Sequence, residues 1–265
     1  MLINSLEIFF LINIPVWLQF NFQEPITDIM QELIEFHDWS LTFLILIVIL
    51  VSYIRFIIIN RRFINGLLND DQELEILWTV VPFFILIALA IPSLKILYRM
   101  EEVRNPVVTL QATGHQWYWT YNYFLFLDSF KRLETEGRYI LDNYSDRTDK
   151  IRLLETESRV LLPVCKDTRV LCSSDDVLHA WGVRCLGVKV DAVPGRINQL
   201  NFLINKPGVY YGNCMELCGA QHRFMPITLE VINMRDFCKH FSIYHDSIYI
   251  IINLRFIENF VLWFK

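Results

Sequence analysis

Two long apolar runs, residues 41–59 and 77–97, limit the folds open to this chain more than any other feature. Roughly 20 apolar residues in helical form cross a bilayer core of about 30 Å, and each run has that length. Lipid offers no partner to backbone N–H and C=O groups, so a spanning run closes its hydrogen bonds internally as a helix. Arg55 lies near one end of the first run, where its long side chain reaches the interface. Pro82 and Pro92 interrupt the second run, and membrane helices carry such prolines more readily than soluble ones. The intervening link opens with Arg61 and Arg62 and turns acidic at Asp70-Asp-Gln-Glu73, which reads as an N-cap with a capping box. These features predict a two-helix transmembrane hairpin. Lys95, Arg99 and Arg104 balance the basic pair in the link, so charge alone does not orient it.

From Pro106 onward the pattern changes to short apolar runs broken by polar clusters. Residues 107–111, 159–162, 169–172, 201–204, 209–211 and 227–231 read as strands of an antiparallel sandwich. Pro194-Gly195 and Pro207-Gly208 mark turns, whereas residues 121–150 are charged and read as irregular. Residues 1–20 are apolar and hold no Lys or Arg, unlike a secretory signal or an Arg-rich transit peptide. The expected organisation is an N-terminal extension or leader at 1–21, the hairpin at 22–105, a metal-binding β domain at 106–237 and an apolar extension at 238–265. The apolar tail at 243–264 has in Ile248-Tyr-Ile-Ile-Ile-Asn-Leu a run too short to span.

The formal charge of -5 is uneven: residues 1–106 hold 6 Lys/Arg against 12 Asp/Glu, and residues 107–234 hold 14 of each. A neutral β domain recognises a charged partner through a local patch, not bulk charge. No basic run or stacked aromatic array points to nucleic acid. Cys165, Cys172, Cys185 and Cys238 are scattered singly, which is no disulfide framework. Cys172 and Cys185 read as small core residues.

Cys214-Met-Glu-Leu-Cys218-Gly-Ala-Gln-His222-Arg-Phe-Met225 concentrates two thiols, an imidazole and a thioether in one loop, and His179 lies upstream. Thiolate and thioether are soft donors that favour copper, and imidazole suits it as well. Three other readings stand beside copper in pairs. A Cys214–Cys218 disulfide would form in an oxidising compartment. A structural zinc could take both cysteines and both histidines, but it leaves Met225 unused. A single blue-type copper takes one Cys, two His and an axial Met, which leaves one sulfur idle. A two-copper site with both sulfurs bridging uses every donor.

The surrounding words narrow these readings. Gln72-Glu-Leu-Glu-Ile-Leu-Trp78, Ile91-Pro-Ser-Leu94, Gly114-His-Gln-Trp-Tyr-Trp119, Asp175-Asp-Val-Leu-His179-Ala-Trp181, Asp191-Ala-Val-Pro-Gly-Arg-Ile-Asn-Gln199, Pro207-Gly-Val-Tyr-Tyr-Gly212 and Met225-Pro-Ile227 stand in this order. From about residue 22 to 237 the chain resembles the family of cytochrome c oxidase subunit 2, of mitochondrial type. The resemblance implies a transmembrane hairpin followed by an all-β cupredoxin-like Greek-key barrel. It implies a dinuclear copper centre with Cys214 and Cys218 as bridging thiolates, His179 and His222 each on one copper, Met225 as weak axial donor and Glu216 through its backbone carbonyl. The Glu216 carboxylate would then serve Mg2+ shared with subunit 1, a hard cation that takes carboxylate oxygens.

The same resemblance implies a subunit of the respiratory terminal oxidase, taking electrons from cytochrome c through Trp117 and passing them to haem in subunit 1, where oxygen is reduced to water with proton pumping. Subunit 1, the other oxidase subunits, cytochrome c and the lipid bilayer are the implied partners. The implied location is the mitochondrial inner membrane, multi-pass, with the metal domain in the intermembrane space. Asp175, Asp176 and Asp191 are candidate docking acids for cytochrome c, although Asn122 stands where relatives often carry an acid. Glu75 is a candidate proton entry. A membrane-anchored copper carrier would favour exposed, exchangeable ligands, and a quinol-oxidase-type subunit would lack the donor set that this chain keeps.

Overall fold

The computed structural model describes residues 15, 17–60, 70–102, 105–125, 131–138, 151, 153–156 and 158–241, with only the backbone at 125 and 131–138. Residues 1–14 of the N-terminal extension, Arg61 and Arg62 in the link, residues 139–150 and the apolar tail at 243–264 lie outside the described residues. The chain divides into two compact units, Asp28–Val103 and Met1–Thr27 with Arg104–Lys265.

The first unit is the hairpin. Helix α1 runs Asp28–Asn60 and α2 runs Gln72–Glu101. At 1.5 Å per residue they reach about 50 and 45 Å, longer than a bilayer core. Their most apolar windows are not buried among the described residues, and by length and composition both helices suit a membrane crossing. The ion pair of Arg99 with Glu32 ties the end of α2 to the start of α1, which makes the two helices antiparallel. Asp71, not Asp70, is the N-cap: its side chain accepts from the Leu74 amide at 3.1 Å. Glu73 therefore falls one position short of a capping box and instead complements the helix dipole in the first turn.

The second unit is a sandwich of two five-stranded sheets. The strands are β1 Val108–His115, β2 Tyr118–Leu125, β3 Lys131–Arg138, β4 Val160–Pro163, β5 Asp167–Ser174, β6 His179–Val183, β7 Val188–Ala192, β8 Asn198–Leu203, β9 Gly208–Cys214 and β10 Pro226–Ile232, followed by a short helix α3, Met234–His240. One sheet has the order β3-β2-β1-β5-β8 and the other β4-β10-β9-β6-β7. This is the cupredoxin-like Greek-key barrel that the resemblance implied, but it is not purely antiparallel. β1 lies parallel to β5, and β4 parallel to β10. Parallel neighbours need long connections, and both pairs are joined through several intervening strands.

The stretch read as irregular contains β2 and β3. Trp119, Tyr121 and Tyr123 are buried while Thr120, Asn122 and Phe124 are only half-buried, which is the period-2 alternation of a strand with one covered face. Charge hid β3, whose Lys-Arg-Leu-Glu-Thr-Glu-Gly-Arg sequence belongs to a sheet edge. Edge strands are commonly charged, because charge discourages pairing with another chain.

Between the sheets lie Leu110, Trp119, Tyr121, Val170, Trp181, Phe202, Tyr210 and Leu229, all buried. Trp181 stacks on Phe202 with ring centroids 6.4 Å apart. The segment before α1 joins this core: Ile26 is 1% exposed, its amide donates to Cys185 O, and Thr27 Oγ1 donates to Leu186 O at 2.7 Å. Expectation had placed residues 22–27 with the hairpin. The reason for the difference is physical, since Ile26 joins the sandwich core and Ile26 and Thr27 each donate to one of its carbonyls. Ile26→Ala should lower the stability of the β unit by about 2–5 kcal/mol. Urea unfolding of the full chain in detergent, followed by tryptophan emission, measures this, and a loss below about 1 kcal/mol would deny Ile26 its place in the core.

Candidate metal centre

Register brings the donors together. In the β6–β9 pair Trp181 faces Cys214, and Met215 N donates to Ala180 O at 2.9 Å. Paired residues of antiparallel strands share a face and alternate residues return to it, so His179 and Cys214 point the same way. β9 ends at Cys214 and β10 begins at Pro226, and Cys214 N donates to Met225 O at 3.2 Å to close the neck of the loop. Inside the loop a 3-10 turn spans His222–Phe224, which brings His222 back toward Cys218.

The donor atoms face one another. Cys214 Sγ lies 3.8 Å from His179 Nδ1, 4.0 Å from Cys218 Sγ and 3.3 Å from Glu216 O. Cys218 Sγ lies 3.4 Å from His222 Nδ1 and 3.6 Å from Met225 Sδ. Ligands held at 2.0–2.3 Å around a shared tetrahedral ion stand roughly 3.3–3.8 Å apart, so the donor set fits metal. His179, Cys214 and Cys218 form one potential ligand cluster by themselves. The two sulfurs are free thiols and not a disulfide, which needs about 2.05 Å between them. His179, Cys214, Cys218 and Met225 are buried, and His222 and Glu216 are half-buried.

Electrostatics distinguish the two thiols. Burial pushes Cys214 up, but the contact with His179, the Ala180 amide and the positive imidazole outweigh it, so its pKa lies below the ordinary thiol value. His179 correspondingly stays protonated to higher pH than a free imidazole, despite burial, because Cys214 and Asp176 both favour the cation. Cys218 is pushed up to about 12 by burial and by the charge of Cys214. Cys214 is therefore the first of the pair to ionise. Cys172 and Cys185, also at about 12 through burial, behave as the small core residues expected of them.

Asp176 has a place that the sequence did not announce. Its Oδ1 accepts from His179 Nε2 at 2.8 Å and from Val177 N at 2.6 Å, and its Oδ2 accepts from Gln116 N at 2.6 Å. A carboxylate can only accept, so in the neutral imidazole it holds the proton on Nε2 and leaves the Nδ1 lone pair for a metal. Burial raises the Asp176 pKa, yet the His179 and amide hydrogen bonds and the imidazole's charge together bring it below the usual carboxylate range. Gly114 makes room beside it: a Cβ there would stand 2.9 Å from His179 Cδ2. The word Gly114-His-Gln-Trp carried this information, because only glycine admits the imidazole.

Trp117 is half-buried and its Nε1 donates to Cys218 O at 3.3 Å, while Gln116 Nε2 donates to the same oxygen at 2.9 Å. Gly219 adopts φ +125, and a Cβ there would press on the indole at 3.2 Å, so glycine serves both the turn and the ring. Asp175 is exposed, with Oδ2 3.7 Å from His115 Nδ1, and Asp191 is exposed on β7. The Glu216 carboxylate has no partner among the described residues. Glu75 sits in the first turn of α2, in the other unit, and is exposed. The structure thus gathers the six copper-ligand candidates with Trp117 and Asp176, and leaves Asp175, Asp191 and Glu75 outside that cluster.

Comparison with known proteins agrees in extent. The family model described as Cytochrome C oxidase subunit II, periplasmic domain, matches residues 108–232, and that described as Cytochrome C oxidase subunit II, transmembrane domain, matches residues 15–96. Cytochrome c oxidase subunit 2 of Myxine glutinosa is 47% identical over 220 residues, covering 83% of this chain and 94% of that one. The same subunit of Choristoneura rosaceana is 43% identical over 221 residues, 83% of this chain and 95% of that one. The crystal structure of the periplasmic domain of subunit II of cytochrome oxidase of Bradyrhizobium japonicum has 35% identity and a TM-score of 0.44 over 52% of this chain and 93% of that chain.

Asp176→Ala should weaken copper affinity about 10–100-fold, the usual cost of losing an outer-shell partner of a ligating histidine, with the fold intact by circular dichroism. Asp175→Ala should leave affinity unchanged. Competition with a copper chelator measures both, and equal affinities for the two variants would remove Asp176 from the positioning of His179.

Proposed function

The chain belongs to the cytochrome c oxidase subunit II family, and we propose that it holds two copper ions through which electrons pass from cytochrome c to haem in subunit 1 of the mitochondrial oxidase. The observation that carries this reading is the meeting, at 3.3–4.0 Å, of two thiols, an imidazole, a thioether and a backbone carbonyl from one loop with the His179 imidazole of β6. Cys214 and Cys218 through their sulfurs, His179 and His222 through Nδ1, Met225 through Sδ and Glu216 through its backbone oxygen would hold the ions. Bound copper supplies one-electron redox chemistry, which none of these side chains supplies by itself at neutral pH.

The protein's own part is rigidity. The β6–β9 and β9–β10 ladders fix both ends of the loop, Asp176 fixes the His179 ring, and Gln116 and Trp117 hold Cys218 O. Donors fixed in this way reorganise little when the charge of the site changes. Trp117 links the half-exposed surface to the loop through one hydrogen bond, which suits it to electron entry. Asp175 and Asp191 are exposed acids that would draw in a basic cytochrome c, an effect on encounter rate that salt screens. The unpaired Glu216 carboxylate would take Mg2+ at the boundary with subunit 1. In the hairpin, exposed Glu75 would admit protons to subunit 1 for oxygen reduction and pumping. The inner membrane with the metal unit in the intermembrane space is the location this reading requires.

Copper loading of the full chain in detergent tests the centre. Two coppers per chain, with an electron-spin spectrum of one electron shared between them, are expected. Trp117→Phe should keep both and slow reduction by cytochrome c at least about tenfold, the loss of roughly 1.4 kcal/mol of barrier stabilisation. One zinc per chain would sink the copper reading, and a lost copper signal in the variant would make Trp117 structural. For the proton route, Glu75→Gln in the assembled oxidase should slow turnover while leaving the rate of copper reduction untouched. Unchanged turnover would remove Glu75 from the route.

A further inference from the structure

The hairpin carries a feature that electron transfer does not use. Between α1 and α2, at the end tied by Arg99 and Glu32, lies a groove of about 460 Å³. Phe36, Trp39, Ala88, Ile91, Pro92 and Ile96 make its apolar walls, and Glu32, Glu35 and Lys95 line it with charge. Glu32 is committed to Arg99. Among the described residues Glu35 accepts only from Gln31 of its own helix, at 3.0 Å, and Lys95 pairs with no carboxylate. Among those residues the groove thus offers one cation and one anion with no ionic partners, set against an apolar wall.

Its depth follows from the sequence. Residues 32–39 precede the apolar run that begins at 41, and Lys95 lies two residues from the end of the run that closes at 97. At this level a bilayer presents phosphates and headgroup amines above the first methylenes of the acyl chains. Lys95 reaches that level along its own stem, and Trp39 is of the type that collects there. An anionic lipid would satisfy Lys95 but confront Glu35. A protein helix would cover the walls but leave both charges in the interface unless it brought its own opposite pair. A headgroup with phosphate and ammonium meets both.

We propose that this groove binds one zwitterionic glycerophospholipid, its phosphate on Lys95, its headgroup ammonium on Glu35, and an acyl chain along Phe36, Trp39, Ala88 and Ile91. The site goes beyond the redox reading and does not depend on copper.

The test uses the assembled oxidase in phosphatidylglycerol nanodiscs doped with a phosphatidylethanolamine that carries a photoactivatable group in its acyl chain. Cross-links mapped by peptide mass spectrometry should concentrate on residues 36–39 and 88–96 and should fall when unlabelled phosphatidylethanolamine is added. Lys95→Gln should lower this labelling about tenfold, the loss of one charge-assisted contact. Glu35→Gln should remove the preference for phosphatidylethanolamine over the surrounding phosphatidylglycerol. Ile91→Trp fills the groove with both charges in place and should abolish the labelling, which keeps the site testable if the Lys95 variant fails to assemble. Uniform labelling along both helices, an unlabelled groove in the parent protein, or labelling unchanged by Ile91→Trp would overturn the proposal. So would a photo-crosslinker at position 91 that captured a protein subunit in place of lipid.

Discussion

The pairing of β6 with β9 decides whether this chain has a metal site. His179 stands 35 residues before Cys214, and no local turn could join them. One backbone contact, Met215 N to Ala180 O, and the facing of Trp181 with Cys214 set the register. A slip of one residue would turn His179 to the opposite face of the sheet, because side chains alternate. The sandwich core prevents that slip. Trp181 is fully buried and stacked on Phe202 of the other sheet, and exchanging it for the neighbouring Gly182 would both empty the core and expose an indole. Packing energy thus enforces a position on which chemistry depends.

Once register is set, small residues and hydrogen bonds finish the geometry. Gly114 gives way to the His179 ring, Gly219 gives way to the Trp117 ring, and the Asp176 carboxylate accepts from His179, Val177 N and Gln116 N. These are costs in other respects, since glycine loses more backbone freedom on folding than any other residue. They are accepted where an aromatic or imidazole ring must lie close to backbone. Trp119, buried and edge-on to His179 with centroids 5.9 Å apart, closes the same side.

How much of this the sequence disclosed depends on whether the signal was local. The two apolar runs were legible because crossing a bilayer needs length, and length is visible in one dimension. The donor loop was legible because five of its ligand candidates fall within 12 residues, Cys214 to Met225. β1, β5 and β10 announced themselves by their apolar content. β2 did not, because aromatic residues alternate there with Thr and Asn, and β6 did not, because His-Ala-Trp-Gly-Val has neither turn signals nor length. The parallel pairings were invisible, since strand direction within a sheet is set by partners far along the chain. Asp176 was read as one of several surface acids because its sequence neighbour Asp175 is one. Only the fold separates a carboxylate that accepts from His179, Val177 N and Gln116 N from an adjacent one that faces water.

The two units use the same residue types under opposite rules. In the sandwich, Ile26, Leu110 and Leu229 leave water by packing on each other, and the barrel gains stability from each. In the hairpin, Leu44, Ile49, Phe84 and Leu86 are exposed, which suits side chains meant for an apolar surrounding and not for water. That difference explains why the hairpin needs so little contact of its own, and why its helices can part at one end into a groove. On our proposal the charges at the rim, Lys95 and Glu35, select an amphiphile that carries the opposite pair.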